Sequence, residues 1–314
     1  MKERVKKHIQ ILLGLGLILI GINVVQAQEF LPIWPEGKMP NSKGLSLQDS
    51  VHNQRIYRAK TPGILPFFPS QEENSKAAII ICPGGGYDHI TYIWSGTQLA
   101  KWFNSFGVNA FVLKYRLPNS PDLKQRELGP WQDLQRAMRY VRAQANSWKI
   151  DPDKIGVMGI SAGGNMVTTL GTHPRDVSAI GDSLDKYAYK PDFMVLVSPV
   201  ITLGKYTHEG TRDNLLGPNP SQELIREYSN ELHVSEYTPP TFLAHAGNDP
   251  AVSPLNSLIF YQELLKYGTP STLHIFPFGG HGIALIHNPP STQLWTDLCK
   301  AWLRETGIIE SKNQ

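Results

Sequence analysis

The chain alternates between short, uninterrupted apolar runs and longer stretches in which apolar residues recur at helical spacing. The first run, Ala77–Cys82, is typical of a strand that is covered on both faces of a sheet. The next stretch, Gly96–Phe106, places its large apolar side chains on one face of a helix. The pattern then predicts strands at Val108–Tyr115, Lys154–Ile160, Phe193–Ser198, Thr241–Ala246 and Ser271–Phe276, and helices at Pro130–Ser147, Ala162–Thr172, Pro254–Tyr267 and Ser291–Leu303.

Strands that alternate with helices along a chain are joined by crossovers, which make the strands parallel. We therefore predict an α/β fold with a mostly parallel central sheet and helices on both faces. The core should span residues 77–305, after a lead-in with the first strand pieces at residues 28–76 and before a tail at residues 306–314. The irregular, Gly- and Pro-containing residues 200–237 are interpreted as an insertion over the carboxyl edge of the sheet, where such folds bind ligands, or equally as a surface excursion without substrate contact.

The first 27 residues have the pattern of an export signal. A cationic start precedes an apolar run from Ile9 to Val25, and small residues stand at Val25 and Ala27. The run of 17 residues is short for a bilayer crossing of about 20. We expect cleavage after Ala27 and a periplasmic or secreted domain without stable membrane insertion; the alternative is an uncleaved anchor that holds the domain outside.

Charge and cysteine content exclude some classes of protein. The formal net charge is +3, but residues 1–27 carry four basic residues and one acidic residue, so the rest of the chain has 26 of each sign. A nucleic-acid-binding protein normally shows a basic surplus, and we expect no such partner. Cys82 and Cys299 are the two cysteines, and we interpret them as buried thiols, although an oxidising compartment would permit a disulfide.

A candidate nucleophile, Ser161, stands in the G-x-S-x-G motif Gly159–Gly163, between a predicted strand and a predicted helix. The flanking glycines permit a sharp turn that lifts the serine hydroxyl above the sheet. A serine alcohol is a poor nucleophile until a base removes its proton, so a histidine and an orienting carboxylate are required. In this strand-turn-helix context the acid and then the histidine follow the serine along the chain.

Two downstream loops supply candidates for these partners. Asp249 comes just after the strand Thr241–Ala246, and His281 lies in a Gly-rich loop after the strand Ser271–Phe276. We predict Ser161, Asp249 and His281 as the catalytic residues of a triad. His245 and His287 are weaker candidates, because the first is expected to pack or hydrogen-bond internally and the second lies in a loop.

The strand Ala77–Cys82 leads into Pro83, three glycines and Tyr87. Glycines let main-chain N–H groups point into a cavity, so we predict an oxyanion hole formed by Gly85 and Gly86 together with Ala162, the residue after the nucleophile. The glycines match neither phosphate-binding loop pattern, and no cluster has metal-ligand spacing. We expect no cofactor and no metal.

Six segments together resemble one known family: Pro83–Tyr87, Val112–Leu117, Trp131–Ala137, Gly159–Gly164, His245–Asp249 and Gly280–Gly282. The chain resembles the α/β-hydrolase superfamily over about residues 77–305, and more narrowly the exported bacterial BD-FAE-like esterases related to acetyl-xylan and feruloyl esterases. The resemblance implies an α/β-hydrolase fold and removal of short acyl groups from plant polysaccharides, with Ser161, Asp249 and His281 as the triad. Relatives often carry an acidic residue where this chain has Ser95.

The predicted function is therefore an exported serine carboxylesterase acting on an acylated carbohydrate. Tyr87 and Trp94, like Tyr92, could stack on a sugar ring or could pack beneath the insertion. An ion pair between Arg116 and Asp133, joining a strand to a helix, is predicted to be structural. The alternatives are a serine peptidase of the prolyl-oligopeptidase type, a lipase, and a non-catalytic carbohydrate-binding homologue.

Overall fold

The computed structural model describes residues 29–283, 285 and 287–310. Its strands are β1 (Leu31–Pro32), β2 (Ser50–His52), β3 (Arg55–Arg58), β4 (Gly63–Phe67), β5 (Ala78–Cys82), β6 (Asn109–Lys114), β7 (Ile155–Ile160), β8 (Met194–Val197), β9 (Thr241–Ala246) and β10 (Ser271–Phe276). Eight of them form one sheet in the order β1-β4-β6-β5-β7-β8-β9-β10, and β2 pairs with β3 separately. From β6 to β10 all neighbours are parallel, whereas β4 is antiparallel to both β1 and β6.

The helices are α1 (Gln98–Asn104), α2 (Leu128–Gln144), α3 (Ala162–Thr172), α4 (Glu209–Leu216), α5 (Gln222–Glu227), α6 (Leu255–Lys266), α7 (Pro290–Gln293) and α8 (Trp295–Glu305). Helices α2, α3 and α6 contribute to the core on one face of the sheet, and α1 and α8 contribute to the core on the other. Alternate residues of β5 point into these two cores, with Ile80 in one and Ile79 and Ile81 in the other. This two-sided burial explains the uninterrupted apolar run, and the predicted α/β class is confirmed.

Three predicted segments differ in detail from the observed ones. The helix predicted at Gly96–Phe106 is preceded by a π-helical turn at Ile93–Thr97. The helix predicted at Ser291–Leu303 is divided at Leu294 into α7 and α8. Residues 200–237, expected to be irregular, contain α4, α5 and a 3₁₀ turn at Asn230–His233. Helices this short carry too few residues for a recognisable apolar period, and the flanking Gly and Pro residues obscured them.

The lead-in is fastened to the core by a buried ion pair. Arg116, just after β6, contacts Asp133 of α2 through Nη2 and Oδ1 at 2.8 Å, which confirms the predicted pair. Trp34 donates its indole N–H to the same carboxylate at 2.7 Å, and Arg116 Nη1 donates to the Pro40 carbonyl at 2.6 Å. Because both charges are buried, loss of one partner would leave the other charge unpaired in the core. Such a loss lowers the free energy of unfolding by about 3–5 kcal/mol.

The predicted leader, residues 1–27, lies outside the described residues. Within the described ranges, the structure contains no helix with the length and apolar character needed to span a bilayer. Cys82, at the end of β5, and Cys299, in α8, are both free and buried, as interpreted from the sequence.

Candidate active site

Ser161 lies at a tight turn between β7 and α3 and adopts φ 56° and ψ −124°, a backbone conformation that non-glycine residues rarely adopt. The two glycines of the motif make this turn possible by close packing. A Cβ on Gly159 would meet the Gly163 carbonyl oxygen at 2.5 Å, and a Cβ on Gly163 would meet the Cys82 carbonyl oxygen at 2.1 Å. The turn thus presses against the end of β5, and Ser161 keeps 8% of its surface exposed.

The other two predicted triad residues lie within hydrogen-bonding distance in the required order. His281 Nε2 lies 2.9 Å from Ser161 Oγ, and its Nδ1 lies 2.8 Å from Asp249 Oδ2. A carboxylate can only accept, so Nδ1 carries the proton and the lone pair of Nε2 faces the serine hydroxyl. The structure therefore brings the three residues together in the geometry of a nucleophile, a base and an orienting acid.

A second histidine, His245, contacts the same carboxylate. It is fully buried at the end of β9, and its Nε2 lies 3.2 Å from Asp249 Oδ2 and 3.0 Å from the Val252 carbonyl oxygen. Both partners are acceptors, so Nε2 carries the proton and Nδ1 accepts from the Ser257 hydroxyl at 2.8 Å. Internal hydrogen bonding had been expected, but the contact with Asp249 had not. The spacing of four residues between His245 and Asp249 was the only sequence signal.

Asp249 is held in its charged form by these donors. Its Oδ1 accepts from the main-chain N–H groups of Ala251 and Val252, each at 2.9 Å. Burial raises the pKa of Asp249, but hydrogen bonds from the two imidazoles and from the Val252 N–H outweigh burial and hold this pKa well below its usual value. The carboxylate is consequently ionised throughout the neutral range and can stabilise a positive charge on His281.

The glycine loop after β5 borders the same cavity. Gly85 adopts φ 132° and Gly86 φ 62°, and a Cβ on Gly85 would meet the His89 carbonyl oxygen at 2.0 Å. In the part of the chain that the structure describes, no group accepts a hydrogen bond from the N–H of Gly85, Gly86 or Ala162. Gly85 and Gly86 line the cavity, whereas Ala162 is buried as the first residue of α3, where an N–H has no partner within the helix.

Ser95 supports this loop from below. It is 1% exposed, its Oγ accepts from the Gly84 N–H at 3.3 Å, and it donates to the Thr91 carbonyl at 3.0 Å. A side chain so enclosed has no surface to offer to a substrate. Any effect of Ser95 on the site is therefore exerted through the shape of the glycine loop.

The cavity above Ser161 has a volume of about 370 Å³. Its lining residues come from the glycine loop, from the π-helical turn, from the ends of β7 and β9, and from the region of the insertion: Gly84, Gly85, Gly86, Asp88, His89, Thr91, Trp94, Ile160, Ser161, His208, Gly210, Asn214, Ala251 and His281. Residues 200–237 thus supply part of the wall of the site.

The two aromatic residues predicted to bind sugar occupy different environments. Trp94 lines the cavity with 43% of its surface exposed, and its ring packs on Gly282, where an added Cβ would meet Cη2 at 2.7 Å. Tyr87 is 1% exposed, and its hydroxyl donates to Asn165 at 3.3 Å. The buried ring of Tyr87 corrects the expectation of a sugar contact there and favours the packing alternative. Tyr92 is half-buried and makes an edge contact with Phe30.

His208 and Asn214 are two of the cavity residues that sequence reasoning missed. His208 caps the start of α4 by accepting the Thr211 N–H on Nδ1 at 3.1 Å. Asn214, within α4, donates to the Gly86 carbonyl at 2.8 Å and so fastens the insertion to the glycine loop. A histidine in an irregular stretch gives no sequence signal of its own, because its position depends on a helix that is bound to a loop more than 100 residues away along the chain.

A separate group of possible metal ligands lies outside the cavity, although the sequence predicted none. Within the described ranges, His173, Glu227 and His233 bring ligand atoms within 4.8 Å of one another. The Nε2 atoms of both histidines already face main-chain carbonyl oxygens, of Glu227 and of Arg226, each at 2.9 Å. Either Nε2 could bind a metal only by giving up its contact with the carbonyl oxygen.

The mostly parallel sheet, the serine at the turn after β7 and its hydrogen-bonded histidine and aspartate define a hydrolase of the α/β-hydrolase fold. The model of the BD-FAE family matches residues 66–264, and the chain belongs to that family.

Relatives with described activities extend the comparison. The chain is 31% identical over 241 residues to endo-1,4-beta-xylanase B of Butyrivibrio fibrisolvens, a match that covers 77% of this chain and 38% of the relative. It is 32% identical over 216 residues to an acetylxylan esterase of Xylanibacter ruminicola, covering 67% of this chain and 42% of the relative. The chain thus spans about two fifths of the length of these curated relatives.

One solved structure is similar to this chain over almost the whole length of the solved chain. The crystal structure of an acetyl ester-xyloside bifunctional hydrolase from Caldicellulosiruptor lactoaceticus superposes with a TM-score of 0.77 at 34% identity. The match covers 90% of this chain and 98% of that one. The similarity therefore extends to most of the chain.

Proposed function

We propose that this protein is an exported serine carboxylesterase that removes short acyl groups, acetyl above all, from xylan-type carbohydrates. The observation that carries the proposal is the continuous chain of hydrogen bonds from Ser161 through His281 to Asp249, beside an accessible cavity. The carbohydrate class is supported by the names of two relatives, an acetylxylan esterase and an acetyl ester-xyloside bifunctional hydrolase.

The reaction follows from the positions of these groups. Ser161 Oγ attacks the ester carbonyl carbon while His281 Nε2 takes its proton, and the N–H groups of Gly85, Gly86 and Ala162 receive the developing negative charge. The bond to the sugar oxygen then breaks as His281 returns the proton to that oxygen. Water attacks the acyl-enzyme with the same histidine as base, which releases the acid and restores Ser161.

Export is the part of the proposal that depends on residues 1–27. Their cationic start, apolar run and small residues at Val25 and Ala27 support cleavage before Gln28. N-terminal sequencing of the protein from the exporting host tests this: a mature chain beginning at Gln28 is expected, and an intact chain retained in the cytoplasm would contradict export.

The activity is tested by measuring acetate released from acetylated xylan. We expect wild-type enzyme to release acetate and Ser161→Ala to lose kcat by a factor on the order of 10⁶. Ser198→Ala is the matched control, because Ser198 is another buried serine with positive φ that directly follows a parallel strand, β8, yet does not line the cavity. Full activity in Ser161→Ala would overturn the proposal, and equal loss in both variants would indicate damage to the fold.

A further inference from the structure

His208 reaches the site from the insertion. It directly precedes α4, whose Asn214 is bound to the glycine loop, and it lines the cavity together with Ser161 and His281. Gly210 leaves room for the ring, because a Cβ there would lie 3.2 Å from His208 Cε1. The imidazole is therefore held at the wall of the cavity by the start of its own helix.

The helix start also fixes which nitrogen of His208 carries the proton. The main-chain N–H of Thr211 donates to Nδ1 at 3.1 Å, so Nδ1 must offer a lone pair. A neutral imidazole with an accepting Nδ1 has its proton on Nε2. Within the described part of the chain, no acceptor is bound to this Nε2–H, and the residue is half-buried. A half-buried donor without a protein partner is available to a substrate oxygen.

The surroundings of His208 favour its neutral ring. Burial lowers the pKa of His208 and the charge of His281 lowers it further, while Asp249 and Glu209 act in the opposite direction. His208 and His281 line the same cavity, and His281 delivers its proton to the departing sugar oxygen. A donor on the wall of this cavity can therefore meet a hydroxyl of the bound sugar.

We propose that the Nε2–H of His208 donates a hydrogen bond to a free sugar hydroxyl next to the acylated carbon, and so selects carbohydrate esters over simple ones. This inference rests on the proposed function. A neutral hydrogen bond contributes about 0.5–1.5 kcal/mol, which corresponds to as much as about tenfold in relative rate.

The variant that separates this contact from helix capping is His208→Ser. Serine is among the best N-cap residues, so it retains an acceptor for the start of α4 but does not reach the cavity as a donor. We expect kcat/KM for an acetylated methyl xyloside to fall about five- to tenfold more than kcat/KM for p-nitrophenyl acetate. His233→Ser, a histidine of the same insertion that does not line the cavity, serves as the control and should leave this ratio unchanged.

A substrate change on the wild-type enzyme tests the same contact without any variant. An analogue in which hydrogen replaces the hydroxyl next to the acetylated carbon should lose five- to tenfold in kcat/KM with wild type and less than twofold with His208→Ser. Two results would overturn the inference alone. One is that His208→Ser leaves the ratio of kcat/KM for the acetylated xyloside to that for p-nitrophenyl acetate unchanged. The other is that the analogue loses as much kcat/KM with His208→Ser as with wild type. Wild-type enzyme that cleaves p-nitrophenyl acetate but no acetylated sugar would overturn the proposed function as well.

Discussion

The two sides of the cavity are built in different ways. On one side, Ser161, Asp249, His281 and the glycine loop all stand just beyond the carboxyl ends of parallel strands. On the other side, His208 and Asn214 belong to the insertion. The strand-end side is positioned by sheet register: Cys82 pairs with Gly159, and Phe276 pairs with Ala246. The insertion side is positioned by a helix cap and by single long-range hydrogen bonds.

This difference separates the two tasks of the site, which are to hold the reacting groups together and to form a wall for the substrate. Register fixes neighbouring strand ends through many main-chain hydrogen bonds at once, so the loops after β5, β7, β9 and β10 start from determined positions. Groups that must meet within hydrogen-bonding distance belong on such a frame. The insertion is held instead by side-chain contacts: Asn214 donates to the Gly86 carbonyl, Arg126 donates to the Asn214 carbonyl, and Leu215 packs in the core. Substitutions in such a wall need not move the strand ends that carry the reacting groups. Changes on the strand-end side should therefore cost far more activity than changes on the insertion side.

The largest of these effects is expected for Asp249→Asn. The amide oxygen of Asn would keep accepting the hydrogen bonds from the Ala251 and Val252 N–H groups. The amide NH₂ would then point toward His281 Nδ1 and His245 Nε2. His281 would then accept on Nδ1 and carry its proton on Nε2, the wrong tautomer to receive the Ser161 proton. We expect kcat for p-nitrophenyl acetate to fall by a factor of about 10⁴.

Asn248→Asp provides the control, since it keeps an acceptor for the Gly280 N–H, bound at 3.0 Å. Its loss should stay within about tenfold. Retention of more than one tenth of wild-type activity in folded Asp249→Asn would show that the carboxylate does not orient His281, and the contrast between the two sides would lose its main support.

A smaller loss is expected for Gly282→Ala. Gly282 adopts φ 63°, and its new Cβ would stand 2.7 Å from the ring of Trp94, so either the ring or the His281 loop must move. Displacement of a catalytic group by about 1 Å costs on the order of 10²-fold in rate. Kinetics on p-nitrophenyl acetate measure this loss.

Gly280→Ala is a matched control on the other flank of His281. Gly280 has nearly the same φ, 66°, but among the described residues no atom beyond its two chain neighbours lies within 4 Å of an added Cβ. Equal activity losses in the two variants would show that backbone strain, rather than contact with Trp94, sets the position of the loop.

The smallest effect is expected for Asn214→Ala, on the insertion side. The variant loses the 2.8 Å hydrogen bond to the Gly86 carbonyl, which is worth about 1 kcal/mol, so kcat/KM on an acetylated xyloside should fall about fivefold. Asp213→Ala is the adjacent control, because its contact with Arg212 is a partly exposed ion pair that contributes little. A loss in Asn214→Ala as large as that in Asp249→Asn would erase the difference between the two sides.

Most of the strand-end side could be predicted from the sequence. The strand of Ile155–Ile160 and the glycines around Ser161 indicated a turn at which the serine is presented, and the structure places Asp249 and His281 beside it as expected. The second histidine on Asp249 could not be predicted. A histidine at the end of a buried strand can bond to any nearby polar group, and the partner depends on how the next loop turns back.

Local sequence by itself determined the sheet, the crossovers and the strand ends at which reactive side chains stand, because apolar runs and flanking glycines act over a few residues. Only the tertiary structure decided whether an aromatic ring lies at the cavity or packs in the core. Tyr87 follows the glycine loop and yet packs inward on Asn165, while Trp94, seven residues later, lies at the opening. His208 caps a helix whose Asn214 is bound to a loop more than 100 residues earlier in the chain. Such placements depend on the combined free energies of contacts between residues that are far apart in the sequence. No short sequence pattern contains that information.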